Sequence, residues 1–454
     1  MAMKRTMAVL GVALVGALTS ASAQVTFRHF KSIDLSSYFP PNGPQGNLVS
    51  DVAFDGADLY VAGMANLSGI RNVGVLKVSN VLSLDANALR YSPLISLEQT
   101  WWRSSYIVYH DGFLYLGTGL GDGTNNPERT GIRKFTTAGL PVGNWNLNGV
   151  VAPSIVMPRD LSGSGRAECI EIDPGYRSGD VGYQSSDSEH QGSEPSLAVL
   201  ARERGIIFRR DFATGNALPN ILCLPVLECQ PRNNPDTTGM RDITFSPEGD
   251  AYLRVDNSIF YARREADNIV QSNIACQIFN FGSDSAFQIL INIHYLRTPT
   301  GVNFLIYNRR GTASPLNRVF IATGSGANWT PFTELLGNEP LPNGSTPNPF
   351  NSNIFNFTSG FGPDPSRGDV NADGIVDDAD LLAVLFEFGS SNAAADANSD
   401  GIVDDADLLI VLFNFGSSPR AQYLFVVNGD LSLDERGNIA ADYDRLDIYR
   451  VDVN

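Results

Sequence analysis

Cysteine and histidine are scarce in this chain of 454 residues, with four of each. His29, His110, His190 and His294 are scattered, and no cysteine spacing matches a zinc ribbon, which argues against a structural zinc site. Positive charge is also short: 32 Lys and Arg stand against 49 Asp and Glu, a formal net charge of −17. That balance makes nucleic acid and anionic membrane surfaces poor partners, because phosphates would be repelled. Beyond residue 23 no apolar run approaches the ~20 residues that a membrane-spanning helix needs. Neither G-x-S-x-G nor H-E-x-x-H occurs, so two common hydrolase signatures are missing. Charged residues make up only 18%, while there are 43 Gly and 25 Pro. Many turns and few charged helix surfaces predict a mainly β body.

The N-terminus reads as an export signal. Lys4 and Arg5 precede an apolar run from Met7 to Leu18, and Ala21-Ser22-Ala23 fits the small-residue cleavage rule, giving a signal peptide over 1–23 and a secreted or periplasmic product. In an oxidising compartment four cysteines allow three pairings. Cys223 and Cys229 enclose only "LPVLE" and are the favoured disulfide candidates, leaving Cys169 with Cys276.

One stretch is dense in carboxylates. "DVNADGIVDDAD" at 369–380 returns as "DANSDGIVDDAD" at 396–407. The first copy offers Asp369, Asn371, Asp373, Ile375, Asp377 and Asp380 at positions 1, 3, 5, 7, 9 and 12, with Gly374 at position 6. The second offers Asp396, Asn398, Asp400, Ile402, Asp404 and Asp407, with Gly401. This is the calcium-loop spacing of an EF-hand: oxygen ligands alternate along a tight turn, glycine permits the bend, and position 7 lends a carbonyl. Two Ca²⁺ ions are therefore predicted. Position 12 is Asp where the general pattern has Glu. Arg367-Gly368-Asp369 also spells an adhesion tripeptide, which is discounted because Asp369 is assigned to metal. After each loop comes an apolar segment, "LLAVLFEFGSS" or "LLIVLFNFGSS". Leu381, Val384, Leu385 and Phe388 share one helical stripe, widened by Leu382 and Phe386. Gly389 and Gly416 are expected helix stops. Helices of about nine residues are too short to be stable alone, so the two units are expected to pack about a pseudo-twofold axis.

The pair "DVNADGIVDDADLLAVLFEFG" and "DANSDGIVDDADLLIVLFNFG" resembles the dockerin domain. The resemblance covers about fifty residues. It implies docking onto a cohesin-like protein or cell-surface partner through loop positions 10 and 11, here Asp378, Ala379, Asp405 and Ala406, and the helix that follows. The sequence departs from the family in two ways: only "GSSNAAA" separates the first helix from Asp396, leaving no intervening helix, and a further β-like segment follows Ser418.

Elsewhere alternating apolar residues and Gly/Asp/Asn turns mark β-hairpins. Units begin near 50, 105, 195, 240, 304 and 422; the clearest is "MRDITFSPEGDAYLRVDNSIFYARRE" at 240–265, and a seventh could lie in 150–190. Such spacing predicts a β-propeller of six or seven blades, with a β-sandwich as the alternative. The units resemble the blades of NHL-type secreted propellers. The expected organisation is a signal peptide (1–23), a propeller body (24–367), a double calcium-loop module (368–418) and final propeller strands (419–454). Between 369 and 407 lie ten Asp and Glu387, with no Lys or Arg from 368 to 419.

No catalytic residue stands out. "LGTGLGDGTNNPERTG" at 116–131 lacks the glycine spacing and Lys-Ser/Thr of a nucleotide loop, and "TWWRSSY" at 100–106 reads as core more readily than as a sugar platform. His110, in "YHDGFLY", reads as a turn residue. The favoured function is a non-catalytic secreted scaffold with a calcium-dependent docking module, touching protein or polysaccharide. The alternatives are a glycoside hydrolase or lyase and a quinoprotein. Convergent central carboxylates would favour the hydrolase or lyase, and a central basic cluster the quinoprotein.

Overall fold

A computed structural model describes residues 25–35, 37–39, 48–65, 72–98, 105–118, 131–143, 145, 150–151, 167–176, 194–201, 206–224, 240–255, 258–271, 277–280, 287–311, 317–330, 333–335, 353–429 and 445–453. The strands form a six-bladed β-propeller. Innermost strands are Leu48–Phe54, Ser105–His110, Ala167–Asp173, Met240–Phe245, Phe287–Arg297 and Asn353–Pro363, one for each blade. Each packs on the innermost strand of the next blade, and the sixth packs on the first, which closes the ring. A short strand, Ile269–Gln271, pairs with both the third and fourth blades and joins them into one sheet.

Closure uses both ends of the chain. The sixth blade runs Asn353–Pro363, Arg420–Gly429, Arg445–Val453 and then Val25–Asp34, the N-terminal strand serving as its outer edge. Ser32 donates to the buried Asp447 carboxylate at 2.6 Å across this seam, and Arg445 Nη2 pairs with the same carboxylate at 2.7 Å. Pairing buries an edge that would otherwise template aggregation.

The hydrophobic pattern follows from this stacking. Leu59 and Val61 point into a core shared with the sixth blade, while Tyr60 and Ala62, between them in sequence, point into a core shared with the second. Each blade interface has its own cluster. Both faces of a strand are therefore apolar, unlike the one-sided alternation of a solvated sheet. Where the sixth blade meets the first, Gly360 and Gly362 make room: a Cβ there would lie 2.8 Å from Phe54 and 2.3 Å from Leu82. Between the third and fourth blades, Asp173 holds two guanidinium groups, Arg209 at 3.0 Å and Arg264 at 3.1 Å, all of them buried.

Five innermost strands carry a register shift, before Asp51, Cys169, Asp242, Ile293 and Asn356. Such bulges re-aim side chains. At or just after four of these shifts sits a residue whose side-chain oxygen accepts the N–H of its own successor. They are Asp51 (Val52, 2.7 Å), Glu171 (Ile172, 2.8 Å), Asp242 (Ile243, 3.0 Å) and Asn356 (Phe357, 2.9 Å).

The acidic repeat lies within the sixth blade, between its first two strands, whose ladder runs out to Pro363 opposite Arg420. Two helices form, α1 (Asp378–Phe386) and α2 (Asp405–Asn414). Each is capped by the preceding loop's position 9: Asp377 and Asp404 accept from the first helical turn, while Asp380 and Asp407 accept back from the caps. Residues 387–395 form turns with no intervening helix. Gly389 and Gly416, at φ 80° and 77°, end the helices as expected.

Candidate functional site

The two loops are built alike. Asp369 accepts the N–H groups of Asp373 (3.1 Å) and Gly374 (3.0 Å), as Asp396 accepts those of Asp400 (3.1 Å) and Gly401 (2.8 Å). Asn371 and Asn398 accept from Asp373 and Asp400, both at 2.8 Å, and Asp373 and Asp400 accept from Ile375 and Ile402, both at 3.0 Å. Asp380 and Asp407 reach back to the N–H of Asn371 (3.1 Å) and Asn398 (3.0 Å). Gly374 and Gly401 adopt φ of 100° and 95°, conformations closed to other residues at low cost. Burial, then the neighbouring Asp380, pushes the Asp369 carboxyl up to about 7. Asp380 is raised as well, chiefly by burial.

The donor set suits a hard cation. Each loop gathers carboxylate and amide oxygens around its first aspartate, with no nitrogen or sulfur ligand among the described side chains. Among the described residues, however, no three Asp, Glu, His or Cys groups converge closely enough to hold a metal as they stand. The oxygens are engaged instead by main-chain N–H groups.

A pseudo-twofold axis relates the two units. Val376 exchanges main-chain hydrogen bonds with Gly416 and Ser417, and Val403 does so with Gly389 and Ser390, at 2.7–2.9 Å. The small core pairs Val376 with Val403 and Val384 with Val411, and adds Val370, Ala395 and Ala397. Only part of the expected helical stripe is buried. Val384 is fully covered and Leu381 partly, but Leu385 and Phe388 are 46% and 52% exposed, and Phe386 is 82% exposed. Loop valines fill the space that these side chains were expected to occupy. In α2 the matching Phe413 is also 82% exposed, beside Leu409, Leu412 and Phe415. Asp378, Ala379, Asp405 and Ala406 are exposed in the first turns of α1 and α2.

A second feature lies on the propeller axis. A cavity of about 180 Å³ is lined by innermost strands of the first, second, third, fifth and sixth blades, with Asp51, Glu171, His294 and Ser359 among its walls. Asp51 spends both oxygens on main-chain donors, Val52 and, in the next blade, Ile107 at 2.7 Å. Asp242 does the same with Ile243 and Ile293, the latter at 2.7 Å. Glu171 has one oxygen engaged, by Ile172, and its carboxyl is pushed up to about 7, chiefly by burial. Burial also raises Asp51, and takes Asp242 up to about 6 and His294 down to about 4. His294 Nε2 lies 2.9 Å from Ser359 Oγ.

In the sequence His294 is one of four scattered histidines, and no motif marks Glu171. The available signal was the Asp-apolar-x-Phe pattern of blade starts, which marks Asp51 and Asp242. His110, expected in a surface turn, ends a strand and stacks on Phe212 at 4.0 Å between ring centroids. Cys169 is a free buried thiol. The side chain of Cys223, and Cys229, Cys276, His190, the residues 101–104 of "TWWRSSY" and most of 116–131 lie outside the described residues.

No family model and no curated protein matches the chain. Among solved structures it is similar to a protein from Lactobacillus plantarum, at 10% identity and TM-score 0.42, covering 93% of this chain and 99% of that one. It is also similar to the Dos1 propeller, at 13% identity and TM-score 0.33, covering 68% and 65%. A third is the Bacteroides ovatus xyloglucan PUL GH43B protein, at 9% identity and TM-score 0.36; 70% of this chain matches 58% of that one.

Proposed function

We propose that this chain is a secreted scaffold whose propeller carries a calcium-organised docking module of dockerin type. The observation that carries this reading is the duplication of an exposed apolar face. Phe386 and Phe413 stand at equivalent positions of α1 and α2, each 82% exposed, each flanked by exposed leucines. Apolar surface of this kind marks an interaction site. Each face is continuous with exposed loop positions 10 and 11, so loop order and helix presentation are coupled. Calcium in the two loops, held by Asp369, Asn371, Asp373, Asp377 and Asp380 and their counterparts, would replace carboxylate repulsion with attraction and fix both helices. The partner is a cohesin-like protein or cell-surface component.

Calorimetry with calcium tests this first. Two sites are expected, with Asp373→Ala and Asp400→Ala each removing one. Partner capture from the native secretome should then disappear in chelator. Capture that is indifferent to chelator would leave the module as a structural clip.

The polysaccharide-active alternative draws on the axial cavity. Glycoside hydrolysis needs two available carboxyl groups. Among the described residues Asp51 and Asp242 are committed to strand N–H groups, which leaves Glu171 as the one uncommitted carboxylate at the cavity, so the scaffold reading is preferred.

A further inference from the structure

We propose that the axial cavity is a binding site for one small organic cation, an alkylammonium group seated against the free oxygen of Glu171. Three observations carry this. First, the wall is acidic: Asp51 and Glu171 line it, Asp242 lies close behind with the Arg254 guanidinium beside it, and none of the lining residues is Lys or Arg. Second, the acceptors are unequal. Both Asp51 oxygens and both Asp242 oxygens already hold main-chain donors, whereas Glu171 accepts one N–H, and its other oxygen meets no donor among the described residues. A guest that donates to a carboxylate completes this arrangement; an anion would not. Third, aliphatic strand residues alternate around the wall with polar ones, His294 and Ser359 among them. A mixed wall around one unsatisfied carboxylate oxygen suits a small ammonium ion with a short hydrocarbon tail.

A bare metal ion fits less well. The cavity of about 180 Å³ is far larger than an ion, and no three metal-binding side chains converge there among the described residues. A neutral sugar would leave the carboxylate charge unanswered.

The groups facing Glu171 are Asp51, Asp242, the Cys169 thiol beside Asp242, and His294, with the Arg254 guanidinium set against Asp242 from the neighbouring strand. The first two are acids whose ionisation also favours a cation, and His294 is held neutral by burial, so it opposes the guest only in acid. The cation must displace the Glu171 proton. With that carboxyl near 7, ethylammonium affinity should fall about tenfold between pH 8 and pH 6.

The test is titration of the full, calcium-saturated chain with ethylammonium chloride, glucose and magnesium chloride as separate probes. One ethylammonium site is expected, weakened at least tenfold in Glu171→Gln and largely kept in Glu171→Asp. Removal of calcium should leave this binding unchanged, which separates it from the docking module. Three results would overturn the proposal: no ethylammonium binding at pH 8, binding unaltered by Glu171→Gln or by pH, or glucose or magnesium occupying the same site more tightly. Should Glu171→Gln fail to fold, the pH dependence of the native chain decides alone.

Discussion

The carboxylate of Asp51 receives the main-chain N–H of Ile107, a residue of the neighbouring blade, at 2.7 Å. Asp242 repeats the relationship with Ile293, also at 2.7 Å, three interfaces further around the ring. Each carboxylate thus ties its own strand to the next at the hub, where the bulges interrupt the ladders. Replacing either by alanine strands two buried N–H groups. Each lost partner costs about 1–3 kcal/mol, so Asp51→Ala and Asp242→Ala should each lower stability by roughly 2–6 kcal/mol in urea denaturation. Losses below 0.5 kcal/mol would show that the hub is held by apolar packing alone.

The hub also makes stability depend on pH, with opposite signs for its acid and its base. Burial raises Glu171 from 4.5 to about 7, so the folded chain binds more protons than the unfolded chain between those values. Its contribution is complete below pH 4.5 and is lost as pH rises through about 7. His294 falls from 6.5 to about 4, so its contribution is complete above 6.5 and is lost as pH falls through about 4. The stability difference between the native chain and Glu171→Gln should therefore shift in favour of the variant as pH rises from 4.5 to 7, by at most about 3 kcal/mol. For His294→Gln the shift should run the other way, favouring the variant as pH falls from 6.5 to 4. Parallel curves for native and variant proteins would contradict the assignment.

Near-equivalence of α1 and α2 predicts redundancy in docking. Phe386→Ser or Phe413→Ser alone should weaken partner capture only a few-fold, because the other face remains. The double variant should abolish capture while keeping both calcium sites, since neither ring contributes to the module's core. Surface plasmon resonance with captured partner and calorimetry on the same samples separate the two effects. Equal binding by the double variant would move the interface elsewhere.

The propeller was legible in the chain because hairpins are local. Each unit from 50 to 453 carries its own turn signal, and the alternation of Tyr423, Phe425 and Val427 puts all three on one face, packed in the core between the sixth and first blades. What stayed hidden is non-local. The pairing of Val25–Asp34 with Arg445–Val453 joins the ends of the chain, and nothing in "VTFRHFKSID" names its partner. The loop turns were legible down to single residues, since Asp, Asn and Gly at fixed spacing close local side-chain-to-backbone turns within twelve positions. The helix faces were not: periodicity marks an apolar stripe, but whether Phe386 is covered depends on what the rest of the fold brings to it. Glu171 and His294 are 123 residues apart and meet only because the ring closes.

The seam at Pro363 and Arg420 gives the last prediction. Those residues are register partners, Asp364 N–H donates to Pro419 O at 3.1 Å, and the Tyr423 hydroxyl donates to Pro363 O at 2.8 Å, so the two strands are already closed where the module leaves them. Anchoring contacts do cross the seam. Asp364 is buried and pairs with Arg450 at 2.8 Å, and Gly368 lies against the main chain of Val411. Excising 369–416, with a short Gly/Ser linker that keeps Asp364, should therefore preserve a cooperatively melting body with no tight calcium binding. A modest drop in melting temperature is expected from loss of the Gly368 contact. Ending the chain at Arg367 is a different operation. It removes Arg420–Gly429 and Arg445–Val453, strips two strands from the sixth blade, leaves Val25–Asp34 without a partner and opens the ring beside Phe54. The expected result is aggregation from an exposed sheet edge, read by light scattering on refolding. If the truncated chain melted as cooperatively as the excised one, the seam would not be what closes the propeller.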